Sequence, residues 1–443
     1  MSQACHPETR TPRPRHPRKC LRKPVACVRL GTIVSAHGFL KGSRARTFFW
    51  ALVGQAGPTF LQLLNFIVVA RLLGAEMTGL FFLVVAVSVI ASSFVGFGAG
   101  GLVLREVSRD KSRAGVVFGQ AQAMSLVTFP LLLPLASAIA YWVVGGAIAV
   151  WVVIAIAASE LLAARLLTTS WTLFVAREEQ IRASLLICLM PFARMVMASL
   201  LIFWPQEARL EILAILYALI SFTVTLAAMV IVRRVIGPSP LSLRGFEGLS
   251  GLSFSMMWLN VALQSESDKV MLGLFGSPSM VAVYSIASRL MDGAAMPPRA
   301  LRVFVQARLF RAGAAGSAGA YRVVRRLMPF VGVYGLAVWF AFWALAPIVS
   351  RLFGPGFEGM AAILPVLGAL PLLRAVSEFG AEIFVSSDKP YVQATVQTVM
   401  TLFRIILGLV LIPTYGTEGA IATSLLMAVT SGIVLWGIGW RVR

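Results

Sequence analysis

From residue 48 onward the chain alternates long apolar runs with short breaks that hold glycine, proline or charge. Runs such as 210–232 and 327–349 show no alternation of polar and apolar positions. They therefore do not read as barrel strands, which are about 10 residues long with a period of two. Their length is the roughly 20 residues that a helix needs to cross a bilayer. Twelve such helices are predicted, at 48–70, 79–101, 115–141, 143–167, 183–204, 210–232, 249–273, 280–304, 327–349, 359–385, 391–412 and 418–440. The seventh is the most polar.

Composition agrees with this pattern. Of 443 residues, 58% are hydrophobic and 13% charged, where a soluble domain carries roughly a quarter charged. The expected fold is an all-α integral membrane protein of twelve transmembrane helices, in two six-helix lobes around a central hydrated cavity.

Charge in the connections provides an independent test, because basic residues collect on the cytoplasmic side. With the N-terminus inside, the cytoplasmic connections carry Arg105, Arg109, Lys111 and Arg113, then Arg177 and Arg182, then Arg233, Arg234 and Arg244. The eighth holds a dense set from Arg299 to Arg326, and the tenth Lys389. The opposite connections hold only Arg71, Arg209 and Arg351. A miscounted helix would scramble that alternation, so both ends are placed in the cytoplasm of a cell with a cytoplasmic (inner) membrane. The longest connection, 299–326, contains an Ala/Gly stretch, 312–320, expected to be a flexible or weakly helical crossover. Two lobes are expected, 47–234 and 249–443, joined by a linker at 235–248.

Residues 1–46 are a different material, with basic residues from Arg10 to Arg46 against the single acid Glu8. Cys5, Cys20, Cys27 and the three histidines lie here without the close pairing that a metal site needs. A disordered cytoplasmic tail with some affinity for anionic lipid is expected. The short apolar run at 31–40 lacks the small-residue cleavage site of a signal peptide.

A turn recurs at the hairpins on the side away from the basic connections. Arg71-Leu72-Leu73-Gly74 leads into Gly79-Leu80-Phe81, and Leu272-Gly273 with Gly276 leads into Ala282-Val283-Tyr284. Arg351-Leu352-Phe353-Gly354 precedes Gly359, and Gly416 precedes Gly419-Ala420. Two spans joined by so short a turn need glycine, for positive φ and for close approach. Four instances favour an internal repeat, as many transporters have.

These motifs carry a resemblance. Arg71 to Gly79 resembles the R-x-L-G-x-x-x-x-G turn of the polysaccharide-exporter and oligosaccharide-lipid flippase family (Wzx-like). Gly96-Phe97-Gly98 with Leu104-Arg105-Glu106 is similar to that family's close of the second helix. Asp268-Lys269 with Leu272-Gly273 and Tyr284 is similar to its seventh-to-eighth helix signature, and Gly416 with Gly419-Ala420 to its last hairpin. The resemblance covers about residues 48–440, and it implies membership of the superfamily that includes multidrug-and-toxin exporters and lipid II flippases. The latter carry an extra pair of spans, which is not found here.

Charges inside the predicted spans are the candidate chemistry: Glu160, Arg165, Arg194, Glu266, Asp268, Lys269, Arg289, Asp292, Arg374, Glu378, Glu382 and Arg404. Facing lipid, these would cost on the order of 30 kcal/mol together. They must face water, pair, or sit near an interface. Arg374, Glu378 and Glu382 form one helical stripe, as do Asn260, Gln264 and Asp268. Gln393, Gln397 and Arg404 line one side of the eleventh span, and Gln55, Gln62 and Asn65 one side of the first. Pairing within one helix is expected for Arg289 with Asp292 and for Arg374 with Glu378. Arg194 and Arg404 have no acid in helical register, while Glu160 and Arg165 are placed near the cytoplasmic interface.

No catalytic constellation, phosphate-binding loop or intramembrane histidine is present in the sequence, so a carrier without cofactor or metal is expected rather than an enzyme. The resemblance implies translocation of an undecaprenyl-diphosphate-linked oligosaccharide to the outer leaflet for cell-surface polysaccharide synthesis. It also implies membrane lipids, a polysaccharide polymerase and glycosyltransferases as partners, with a monomeric transport unit and no nucleic acid. Substrate-binding candidates are Arg194, Lys269, Arg289, Arg374, Arg404, Gln62, Gln264 and Gln397; ion-coupling candidates are Asp268, Glu378 and Glu382. The alternative within the superfamily is cation-coupled multidrug efflux. A base-rich cavity suits a diphosphate better than a cationic drug.

Overall fold

The structure, a computed structural model, describes residues 43–243, 266–313, 316–387 and 389–441. Among these residues every regular element is helical. In chain order they are α1 (Ser43–Ser92), α2 (Ala99–Arg109), α3 (Ala114–Val143), α4 (Val150–Ala158), α5 (Ala164–Ala176), α6 (Gln180–Ser199) and α7 (Arg209–Ile236). The second group comprises α8 (Ser267–Phe275), α9 (Pro278–Ala294), α10 (Met296–Gly313), α11 (Ser317–Phe353), α12 (Met360–Leu367), α13 (Leu370–Val385) and α14 (Pro390–Arg441). Eight stretches among the described residues are long and apolar enough to cross a membrane.

Two of those stretches each contain a reversal. In one continuous helix Phe66 and Phe82 would be about 24 Å apart, yet their ring centroids lie 4.7 Å from each other. The chain turns back at Gly74, where φ is 77° and only glycine is unstrained. Likewise Arg404 and Ser424 would be separated by about 30 Å, but their side chains are 3.2 Å apart across the break at Gly416, φ 55°. α1 and α14 are thus each a pair of antiparallel spans, as the repeated glycine turn predicts. The turn at Gly276 works otherwise: its φ is −125°, so no left-handed backbone is needed there. The next helix begins at Pro278, after the Ser277 side chain accepts a hydrogen bond from the Met280 amide.

Several predicted boundaries move. The third and fourth spans are divided by a turn at Gly145 and Gly146, both of positive φ, rather than near Trp142. The fourth span runs on to Ala176 through a π-helical turn, Ser159–Ala163. Within the predicted crossover, helix α10 continues to Gly313 and α11 begins at Ser317, so the helical path breaks inside 312–320 while most of the described part of 299–326 is helical. Its alanines and arginines are good helix formers, and its length permits two whole helical ends. The seventh span is described only from Glu266, and the tail only from Ser43.

The apolar packing is not evenly distributed. At the end carrying the glycine turns, one continuous core joins Leu73, Leu80 and Phe81 of α1 to Leu272, Val281, Phe353 and Ile412 of the later helices and to Phe357 in the turn after α11. There Arg71 donates from Nε to the Leu352 carbonyl at 2.7 Å. At the arginine-rich end the core is split. Val103, Phe118, Phe174 and Val232 centre one cluster, while Leu309, Tyr321, Phe379 and Phe384 centre a separate one. On the loop at that end, burial pushes the Glu179 carboxyl up, but the Arg177 and Arg182 guanidiniums more than offset this and hold it below its usual value.

Candidate functional site

Two adjoining cavities lie among these helices. The larger, about 850 Å³, takes its polar lining mainly from α8, α9, α10, α13 and α14, with Gln62 of α1 and Thr168 of α5. The smaller, about 210 Å³, is walled by α1, α5, α6 and α7, and by Glu160 from the π-helical turn. Gln62, Glu266, Lys269 and Arg289 line both.

The charged groups pair across helices rather than along them. Arg404 on α14 reaches Oδ2 of Asp268 on α8 at 2.9 Å. The same carboxylate oxygen accepts from the hydroxyls of Tyr284 at 3.0 Å and Ser424 at 3.1 Å. Asp268 and Tyr284 belong to the seventh-to-eighth helix motif, and Arg404 and Ser424 flank the last hairpin, so distant parts of the chain converge on one buried carboxylate. Glu266 pairs with Lys269 and, at 3.2 Å, with Arg289. Arg289 lies 3.7 Å from Asp292, the intrahelical contact expected from spacing.

The expected Arg374–Glu378 pair does not form. Arg374 turns to Asp292 of α9 at 2.8 Å, and Glu378 takes Arg299 of α10 at 3.2 Å. Interhelical partners win because both side chains project from α13 toward facing helices that carry the opposite charge. Glu382 accepts from Arg302 at 3.1 Å and sits behind the cavity wall, 4% exposed. Arg194 also has an acid from elsewhere: Glu160 is 2.9 Å away. Glu160 is thus partnered from another helix, which its placing near an interface did not anticipate. The Tyr217 hydroxyl donates to Glu160, and the Arg194 guanidinium lies 3.9 Å over the Tyr217 ring. Arg165 instead donates from Nε to the Val95 carbonyl, beside the Gly96-Phe97-Gly98 turn.

Of the residues singled out by sequence, Arg194 lines the smaller cavity, and Lys269, Arg289 and Gln62 line both. Arg374, Arg404, Gln397, Asp268 and Glu378 line the larger. Gln264 and Asn260 lie outside the described residues. Sequence reasoning missed Arg299 and Arg302, which it assigned to a cytoplasmic connection. Both line the larger cavity. The available signal was helical register: Arg299 falls two turns after Asp292, on nearly the same face.

The larger cavity is therefore base-rich. Lys269, Arg289, Arg299, Arg302, Arg374 and Arg404 face Glu266, Asp268, Asp292 and Glu378. Each of these acids has at least one basic partner within 4.0 Å.

The arrangement is that of a multi-pass membrane protein with a transporter fold. It resembles the inward-facing conformation of a multidrug resistance MATE family transporter of the MOP superfamily, with a TM-score of 0.68, 17% identity, and coverage of 88% of this chain and 97% of that one. The outward-facing conformation of such a transporter gives 0.60 at 17% identity, over 92% and 98% of the two chains. A MOP superfamily transporter from Pyrococcus furiosus, described as having a binding pocket of reverse polarity that suggests a different function, gives 0.56 at 17%, over 90% and 94%. No curated protein matches by sequence. Residues 45–310 match the family of polysaccharide biosynthesis proteins, and the chain belongs to that family.

Proposed function

We propose that the protein moves a polyprenyl-diphosphate-linked oligosaccharide from the inner to the outer leaflet of the cytoplasmic membrane, for cell-surface polysaccharide synthesis. The observation that carries this reading is the base-rich lining of the larger cavity. Arginine presents paired N–H donors that match phosphate oxygens, in a site partly withdrawn from water. Membership of a polysaccharide biosynthesis family supports the same substrate class. Efflux of cations would be favoured by an excess of carboxylates, whereas the larger cavity is lined by six bases against four acids.

The two groups of helices, before and after the linker at 235–248, are the lobes that rock. The basic loops put the arginine-rich end in the cytoplasm, so the single core at the glycine-turn end is the outer seal. The separate cores at the other end leave the cavity open inward. The higher TM-score against the inward-facing relative agrees with that state. Lipid tails stay in the bilayer while the head group crosses. With the cell interior negative, outward movement of two negative charges at ~100 mV is favoured by about 4–5 kcal/mol.

The test is flipping of a fluorescent polyprenyl-diphosphate lipid in reconstituted vesicles with an imposed potential. An interior-negative potential should speed outward movement, and a rate indifferent to the potential would remove the charge-driven mechanism. Orientation has its own check. Gly416→Cys, in a background without native cysteines, should react with an impermeant thiol reagent added to intact cells. Gly316→Cys should react only after permeabilisation, and labelling of Gly316→Cys from outside would refute the arrangement.

A further inference from the structure

The basic residues at the arginine-rich end are of two kinds. Those between α2 and α3 and between α5 and α6 are tied to acids: Arg105 and Arg113 to Glu106, Lys111 to Glu178, and Arg177 and Arg182 to Glu179. The hairpin of α10 and α11 has no such acids, because the sequence holds none between Asp292 and Glu358. Arg299 and Arg302 reach acids of α13. Arg308, Arg311, Arg322, Arg325 and Arg326 are exposed and have no acid within ion-pairing distance among the described residues. Arg322 donates from Nε to the Ala318 carbonyl of its own helix at 3.3 Å. These side chains are held outward, since the inner face of the hairpin is closed. Leu309, Ala320 and Val324 are fully buried there, and a Cβ on Gly319 would lie 2.2 Å from the Ala312 carbonyl oxygen.

Helical register sets what these arginines face. On α11 the exposed side chains Phe330, Val333, Phe340 and Ile348 form one stripe, on a helix long and apolar enough to cross the membrane. From Phe330 to Ile348 the rise is about 27 Å, close to the hydrocarbon thickness of about 30 Å. Arg326 and Arg322 continue the same stripe, one and two turns before Phe330. Arg326 therefore falls within the headgroup layer of the inner leaflet, and Arg322 at its surface. α10 repeats the pattern, with exposed Phe304 followed by Arg308 and Arg311 at the fourth and seventh positions. A group that meets these arginines shares the lipid-facing side of the helix, which is the place of a phospholipid headgroup and not of a soluble protein. A surplus of positive charge at that depth favours a lipid of net negative charge, and guanidinium donors match phosphate oxygens.

We propose that the outer face of the α10–α11 hairpin, around Arg322 and Arg326, is a binding surface for the headgroup phosphate of an anionic phospholipid. Full-length protein is reconstituted in vesicles of phosphatidylglycerol and phosphatidylcholine, extracted in mild detergent, and its retained lipid measured by native mass spectrometry. Phosphatidylglycerol should be retained over phosphatidylcholine, and less so as salt is raised. Arg322→Ala with Arg326→Ala should lower that preference by about fivefold for each arginine, the scale of one basic side chain at an anionic surface. Lysine at both positions should keep most of it, because the charge remains. Arg326→Gln carries the test should the double alanine variant fail to insert. Arg105→Ala with Arg113→Ala should leave the preference unchanged, since Glu106 already offsets those charges. No preference in the unmodified protein, or a preference unmoved by the Arg322 and Arg326 variants, overturns the proposal. A polyprenyl diphosphate added to the vesicles tests the other source of phosphate. If it displaces phosphatidylglycerol from the unmodified protein, the surface collects the transported lipid and the phospholipid assignment fails.

Discussion

Arg404→Ala should nearly abolish flipping of a polyprenyl-diphosphate lipid, and it should also lower the amount of folded protein. The second effect follows from the pair it breaks. Asp268 is 4% exposed and its Oδ2 lies 2.9 Å from Arg404. Removal of one partner of a buried pair leaves a stranded charge, at a cost of about 3–5 kcal/mol. Asp268 would keep only the Tyr284 and Ser424 hydroxyls. The double variant Arg404→Ala with Asp268→Asn removes the stranded charge and should restore the protein level in membranes. It should not restore transport, because the cavity base is still missing. Arg404→Lys should fall between, since charge remains but the other guanidinium nitrogens, which Asp268 and Ser424 leave for a phosphate because both take Nη2, are lost. Quantified membrane levels and vesicle flipping rates together decide the matter. If the double variant inserts normally and flips lipid at the unmodified rate, Arg404 is a structural partner of Asp268 and nothing more.

The second large effect is expected from a single methyl group in the core at the glycine-turn end. A Cβ at position 79 would lie 1.7 Å from the Pro278 carbonyl oxygen, a backbone atom that cannot swing aside. Gly79→Ala therefore has to push α1 away from the start of α9, inside the core that closes the glycine-turn end. Overpacking of this kind costs about 1–3 kcal/mol. Since 1.4 kcal/mol is tenfold in an equilibrium, the ratio of sealed to unsealed protein should fall by about fivefold to a hundredfold. The readout is a buried reporter in the same core. Ala282 is fully buried beside Val281 and Val283, so Ala282→Cys should resist an impermeant reagent from outside in the parent protein. In the Gly79→Ala background it should label readily, and transport should slow. Continued protection of Ala282→Cys would mean that the seal accommodates the methyl group and that Gly79 does not hold the two helix groups together.

Both effects depend on features that the sequence reveals to different degrees. The glycine turns are legible because their cause is local. A hairpin of two apolar spans leaves only a few residues for the reversal, and the left-handed backbone at Gly74 and Gly416 follows from that. The close approach of Gly79 to Pro278 is not legible, since it depends on how two distant hairpins meet.

The same division holds for the site. Helical class, the number and order of apolar runs, and the polar stripe of Gln393, Gln397 and Arg404 were determined by the sequence alone. Each depends on period and on the cost of exposing polar groups to lipid, and neither needs a partner helix to be known. The choice of ionic partners was decided by the tertiary structure. Arg374 passes over Glu378, one turn away, for Asp292 on a facing helix at 2.8 Å. Arg194 and Arg404, which lack an acid in their own register, find Glu160 and Asp268 across the bundle. Arg299 and Arg302, near the end of the predicted eighth span, become cavity residues because α10 packs them opposite Glu378 and Glu382 of α13. The physical reason is range: helical periodicity is set within a few residues, whereas a buried charge takes whichever opposite charge the packing brings within a few ångströms.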